Sequence, residues 1–536
     1  MDPPPSEPAA DGEAVVASRR GKTCNRLTPP LFQRAVAIPA ALVALFFILA
    51  TLFFTGPVEG FLRGIQGGIS SSFGWFYLIC INVALLTAVI LLFSPARRWR
   101  LGGDEAEPEF STFSWLSMLF SAGMGIGLLY FSVAEPMMHY LNPAFTEPGT
   151  AASFHRAMEA TYFLWGIHVW AIYAVIALAL AYFAFNRGLP LSVRSGLYPF
   201  LGERVHGGWG HLVDVIAIVA TLFGLATTLG FGAQQVGAGL EHIFGLPSTL
   251  GVQIAAIVVI TALATLSVVL GLHRGIRNLS VLTMRLSAFL LVVVFLVGPT
   301  VLILDTFVQS AGGYLQHFLQ WATHRGASSE QGAFFSGWSI FYWGWWMSWG
   351  PFVGLFIARI SRGRTIGEFL LGVILAPTVV TIFWMATFGT STYELEATAP
   401  GFAQAVGDSV PTALFRMLAE YPLAWLTSGL GLLLVIAFFV TSSDSGSLVV
   451  DSMASGGRLR TGVSSRVFWA SLEGAIAATL LLGGGLSAMQ AVSLSAGLPF
   501  AAVVLFLCAG LLRTFVFHRP ATPPPPLPQR SRVNRS

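Results

Sequence analysis

The stretch FYWGWWMSWGPFVGLFIARISRGRT, residues 341–365, poses the question of fold most sharply. Its first eighteen residues, 341–358, carry no charge, and Arg359, Arg362 and Arg364 then follow in close order. An uncharged apolar run of about this length reads as a membrane-spanning helix, and clustered arginines mark its cytoplasmic end. Four of the chain's 15 tryptophans, Trp343, Trp345, Trp346 and Trp349, fall within seven residues here. Gly350-Pro351 removes a backbone hydrogen bond and predicts a break in the middle of the span.

The rest of the chain has the same character. Hydrophobic residues make up 55% of its 536 positions and charged residues 10%, against roughly 25% charged in a soluble domain. Apolar runs of spanning length lie at 35–56, 72–94, 112–134, 160–186, 210–232, 249–271, 279–304, 336–358, 369–390, 422–442, 465–484 and 490–512. With the N-terminus in the cytoplasm, only Arg63, Arg156, Arg325 and Arg416 of the 29 Lys and Arg residues fall in outer segments, and Arg285 lies within a span. This asymmetry predicts an all-α polytopic membrane protein with 12 transmembrane helices and both termini cytoplasmic. Residues 1–34 read as a disordered basic tail without a cleavable signal, and 513–536 as a short Pro-rich basic tail. YLQHFLQWATH (314–324) has the spacing of an interfacial amphipathic helix within an outer loop over 305–335. Cys24, Cys80 and Cys508 lie far apart, with neither disulfide nor metal spacing. No metal, triad or nucleotide motif points to an enzyme, and nothing points to a nucleic-acid partner.

Two stretches within spans suggest a binding site. SAGMGIGLLYFSVAEP (121–136) alternates Gly123, Gly125 and Gly127. Such glycines serve either close helix packing or a helix break, where transporters expose backbone groups to substrate and ions. Five spans later lies the tryptophan run, a spacing that suits two five-span repeats of inverted topology, 95–304 and 336–512, behind two leading helices at 35–94. LWGIHVWAIY (164–173) adds Trp165, Trp170 and Tyr173. Aromatic faces suit quaternary ammonium groups, which offer no hydrogen-bond donor; interfacial belts also collect Trp and Tyr. The depth of these residues in their spans favours a site.

The segments GMGIG…AEP (123–136), W…HxWAIY (165–173), 341–365 and TSSDSGSLV (441–449) together resemble the betaine/choline/carnitine transporter family over about 35–515. The resemblance implies a leucine-transporter-type fold, a homotrimer in the cell's inner (plasma) membrane, and uptake of trimethylammonium solutes, often with sodium. It maps an aromatic box onto Trp165, Trp170, Tyr173 and Trp346, with Trp349 one turn on; Trp345 reads as facing another side of the helix. The substrate carboxylate would meet Gly123, Met124, Gly125 and Gly127. Gly127 stands where choline-transporting relatives tend to have Asp, which favours a zwitterion such as glycine betaine: an added anion would repel its carboxylate.

The resemblance also maps a sodium site onto Ser121, Ala122 and Met124 with Phe438, Thr441 and Ser442. Without it, a Thr-Ser pair reads as bonding to its own helix. A second sodium site needs two hydroxyls; Thr221 supplies one, but Leu225 stands at the other position. No cofactor is implied beyond sodium as coupling ion. Arg285 has three readings: snorkelling to the interface, a structural ion pair, or replacement of sodium, as a neighbouring position aligned with Met284 does in sodium-independent relatives. Glu135 and Asp444 read as structural or gate-linked carboxylates. Arg359, Arg362 and Arg364 read as anchors and inner-gate partners that could touch anionic lipid. The expected function is sodium-coupled import of a quaternary-ammonium zwitterion. The alternatives are a carnitine-type exchanger, a choline or dimethylsulfoniopropionate transporter, and, in another class, a membrane osmosensor.

Overall fold

A computed structural model describes residues 32–123, 125–269, 273–326, 331–458 and 461–517. Among them the regular structure is helical, with a single isolated β-bridge between Arg100 and Thr365. Ten helical segments among the described residues are long and apolar enough to cross a membrane, so the chain is a multi-pass membrane protein by length and composition.

The elements that build the site are α1 (Arg34–Phe53), α2 (Thr55–Phe93), α3 (Thr112–Gly123), α4 (Ile126–Phe131), α5 (Ala134–Leu141), α6 (Ala151–Trp165) and α7 (Ile167–Ala181). They continue with α8 (Gly208–Phe244), α9 (Leu250–Val269), α10 (His273–Val297), α11 (Thr300–Gln316), α12 (Phe341–Ile360), α13 (Ile366–Thr398), α14 (Ala424–Ala454), α15 (Val463–Leu482) and α16 (Leu486–Leu512).

The apolar run 112–134 is divided. α3 ends at Gly123, and α4 begins at Ile126 with Gly125 as its N-cap. Of the two readings of the alternating glycines, the helix break is the one present. The break predicted at Gly350-Pro351 is absent: α12 runs through Pro351 without interruption. Packing explains this. A Cβ at Gly350 would come 2.7 Å from Ile176 Cδ1 and 3.0 Å from a Phe500 ring carbon, so the glycine lets α7 and α16 close on the helix. Neighbours that hold a helix on all sides support it across the hydrogen bond that proline removes. α12 has nearly every side chain buried against α7, α8 and α16, as expected for a helix at the centre of a bundle rather than at its lipid face.

A second Gly-Pro pair does end a helix. α10 stops at Val297, and Gly298-Pro299 leads into α11, so the run drawn as 279–304 closes earlier than its hydropathy suggests. α11 buries Ile303, Thr306, Ser310 and Tyr314, a helical stripe, against α6. A short helix, Phe318–Thr323, follows and buries Trp321, whose indole nitrogen donates to Glu159 at 3.3 Å. The amphipathic segment expected at 314–324 is therefore helical, in two pieces hinged at His317.

Beyond the tryptophans of α12, Arg364 is buried rather than displayed. Its guanidinium donates to Thr112 Oγ1 at 3.1 Å and to the Phe110 carbonyl, pairs with Glu368, and lies 4.8 Å from the centre of the Trp115 ring. It clasps the start of α3 to the start of α13. Arg285 is exposed on α10.

Candidate functional site

Three interruptions converge on α12. The first separates α3 from α4. The second is at Gly166, where α6 ends on Trp165 and α7 begins at Ile167. The third is a π-helical turn, Ser336–Ile340, that leads into α12; such turns are frequent at functional sites.

The indoles meet between these elements. Trp345 and Trp346 stack with ring centres 4.6 Å apart and planes 15° from parallel. Trp165 stands edge-on to Trp346 at 5.1 Å, and Tyr173 edge-on at 6.5 Å. Trp170 contacts Tyr173 at 5.8 Å. Tyr342, which sequence reasoning passed over, lies 5.6 Å from Trp165 and 5.7 Å from both Trp345 and Trp346. All these rings are buried. Edge-to-face and offset contacts of this kind suit the aromatic quadrupole.

One expectation about the run is revised here. Trp345 does not face away from the other indoles. It packs on Trp346, and its edge fills the space beside Gly127: a Cβ there would come 2.8 Å from Trp345 Cη2 and 3.3 Å from Trp165 Cη2. Reading α12 as a helical wheel hides this, because the room for Trp345 is made on α4. Trp349 makes its ring contacts with Trp345 and Phe352, and its nitrogen donates to the Gly224 carbonyl on α8 at 3.0 Å. Trp343 packs elsewhere, edge-on to Phe163 at 5.0 Å.

Hydrogen bonds fix the rings. Trp346 Nε1 donates to the Leu164 carbonyl at 3.0 Å, next to the interruption at Gly166. Trp345 Nε1 donates to Thr228 Oγ1 at 3.2 Å. Trp165 Nε1 donates to Glu135 Oε2 at 2.9 Å, and the Tyr342 hydroxyl donates to the same oxygen. The other Glu135 oxygen lies 3.4 Å from His139 Nε2, and both residues are fully buried. Glu135 thus positions two walls of the cluster. Trp170 Nε1 and Tyr173 Oη are buried without a hydrogen-bond partner among the described residues.

The residues mapped to ion binding are placed less completely. Met124 and the side chains of Ser121, Ala122 and Gly123 lie outside the described residues. Gly125 sits against α14: its Cβ would come 3.4 Å from Phe438 Cδ1 and 3.7 Å from Ser442 Oγ. The break and the Phe438–Ser442 turn are thereby neighbours. Thr441 Oγ1 bonds within its own helix, to the Ala437 carbonyl at 2.9 Å and the Phe438 carbonyl at 3.1 Å. Thr221 likewise bonds to the Ala217 carbonyl at 2.8 Å, and Leu225 is buried.

The family model for betaine/carnitine/choline transporters matches residues 35–519. The chain belongs to this family. A glycine betaine/proline/choline transporter of Vibrio parahaemolyticus is 44% identical over 500 residues, which cover 90% of each chain. The glycine betaine transporter OpuD of Bacillus subtilis is 41% identical over 486 residues, 90% of this chain and 94% of its own. That of Acinetobacter baylyi is 40% identical over 92% of this chain and 74% of its own. This betaine/carnitine/choline family member is accordingly a membrane transporter and not an enzyme. Its buried rings are held by Glu135 and the Leu164 carbonyl.

Proposed function

We propose that this transporter imports a quaternary-ammonium zwitterion, glycine betaine or a close analogue, by sodium symport with alternating access. The observation that carries the proposal is the junction of the α3–α4 break with the ring cluster on one side, through Gly127, and with α14 on the other, through Gly125. A trimethylammonium head has no donor to offer and is attracted by aromatic faces; Trp165, Trp170, Tyr173 and Trp346 supply them, with Trp345 and Tyr342 behind. The substrate carboxylate would go to the amides freed around Gly125 and Gly127, and the unpaired Trp170 Nε1 and Tyr173 Oη are further donors within the same group. The rings are packed against one another, so the head enters only when they part, which links binding to movement.

In this reading sodium sits between carbonyls at the end of α3 and the Phe438–Ser442 turn, and Thr441 exchanges its bond to its own helix for the ion. A second sodium at Thr221 is disfavoured by Leu225. The twelve-span, two-repeat arrangement, cytoplasmic termini, inner-membrane location and trimeric assembly belong to the same proposal, supported by the basic-residue asymmetry and by family membership. The 44% identical Vibrio relative named for glycine betaine, proline and choline makes substrate breadth the point to test. Uptake of labelled glycine betaine into proteoliposomes, with choline, carnitine, ectoine and dimethylsulfoniopropionate as competitors, should show inhibition by the methylated zwitterions and weaker inhibition by choline. Failure of every methylated onium compound to compete would reject the proposal.

A further inference from the structure

Glu473 stands eleven residues into the twenty-residue helix α15, at mid-span. Its side chain is completely buried, and neither carboxyl oxygen has a hydrogen-bond partner among the described residues. It points at α14, where a Cβ on Gly446 would come 3.4 Å from Oε2; Leu225 of α8 packs on the same glycine. An ionised carboxylate in such surroundings costs several kcal/mol that no donor offsets. A proton or a cation must neutralise it. A hard cation collects several oxygen ligands, whereas no hydroxyl or other polar group hydrogen-bonds to either oxygen among the described residues. A proton needs only the carboxyl itself.

The charged and titratable groups on the surrounding helices give it no basic partner among the described residues, and Asp444 of α14 is close enough to act on it electrostatically. α9 and α16 carry no Asp, Glu, Lys, Arg or His, and α1 has Arg34 at its first residue. The titratable groups of α8 are near its ends: His211, Asp214, Glu241 and His242, with Asp214 paired to Arg194 at 3.2 Å. On α14 stand Asp444, nearly buried, and Asp451, which accepts from Ser465 and lies 3.8 Å from Arg466 of α15 itself. No basic group is drawn to Glu473 among the described contacts. Ionisable residues inside membranes are costly and mark proton and ion pathways.

We propose that Glu473 is a proton-binding site that takes up a proton from water on one side of the membrane and releases it on the other as α14 and α15 part and close during transport. This rests on the reading that the helices rearrange with each cycle, and it makes transport proton-linked whatever the role of sodium. The expected signature is a substrate-dependent change of internal pH in proteoliposomes loaded with a pH-sensitive dye. Wild type should give the signal on addition of glycine betaine. Glu473→Gln, which mimics the neutral acid in size, should still bind betaine but give no proton signal, and its uptake should lose the pH dependence of wild type; Glu473→Asp should restore part of both. Infrared spectra provide a readout that needs no substrate: wild type should show a protonated-carboxyl band that Glu473→Gln lacks. An unchanged band in Glu473→Gln, or equal proton signals from the two proteins, would overturn the inference. Loss of betaine binding by wild type would instead count against the ring cluster as the substrate site, and leaves the infrared comparison intact as the test of Glu473.

Discussion

Gly127 has no side chain, and the edge of Trp345 stands where one would begin. Gly127→Ala should therefore push the indole out of its stack with Trp346 and lower the maximal rate of betaine uptake, measured with labelled substrate. Gly127→Asp adds an anion as well as bulk. It should raise inhibition by choline relative to betaine, because a net cation gains from the charge that a zwitterion's carboxylate resists. Trp346→Leu removes a ring face worth about 0.5–2 kcal/mol to a bound cation, and disturbs the stack besides. Betaine affinity, read by binding or transport, should fall roughly tenfold or more, with the protein still in the membrane. Glu135 acts through the rings it holds. Glu135→Ala strands the Trp165 and Tyr342 donors in a dry site at a cost of about 1–3 kcal/mol for each unsatisfied group; Glu135→Gln keeps an acceptor and should be milder in both thermal stability and uptake. That Trp165, Trp170, Tyr173 and Trp346 form one group of rings was legible in the sequence; that Tyr342 joins them was not. The place of Trp345 was not, because the space it occupies is created by a glycine more than 200 positions earlier.

Two Gly-Pro pairs behave oppositely, and the contrast is one of neighbours. Gly298-Pro299 lies between α10 and α11 and ends a helix; Gly350-Pro351 lies inside α12, gripped by α7 and α16, and does not. Nothing in either dipeptide distinguishes the two, so a sequence reading that gives proline its usual weight misplaces the second. The glycines of α12 serve contact. A Cβ at Gly344 would come 2.8 Å from the Leu494 Cα, a backbone atom that cannot swing aside. Gly344→Val should therefore lower the unfolding temperature of purified protein sharply and cut uptake. Pro351→Ala, which restores a helix hydrogen bond in an already continuous helix, should leave both near wild type. If Pro351→Ala abolished transport at normal stability, α12 would need its proline for movement, and the packing account of that helix would be wrong. The break at Gly125 was half legible: three alternating glycines inside an apolar run weaken a helix, but they serve close packing equally well, and the resemblance to the family was needed to favour the break.

At the scale of the molecule, low charge and long apolar runs announce a multi-pass membrane protein, and the motifs carry it to its family. The proposed site lies where interrupted helices meet a central one that is buried on almost every side, and in that proposal the binding surface is made from elements that shift for substrate to enter. Sodium would act on that shift by ordering the α3–α4 break against α14. Thr441→Ala should raise the sodium concentration needed for half-maximal uptake while leaving betaine competition unchanged in order. The most direct test of the whole account is accumulation of labelled glycine betaine in proteoliposomes under an inward sodium gradient, wild type beside Trp346→Leu. Wild type should concentrate betaine above its outside level and lose that excess when the gradient is removed, and Trp346→Leu should accumulate far less at the same low betaine concentration. Equal accumulation by the two proteins would contradict the placement of substrate among these rings.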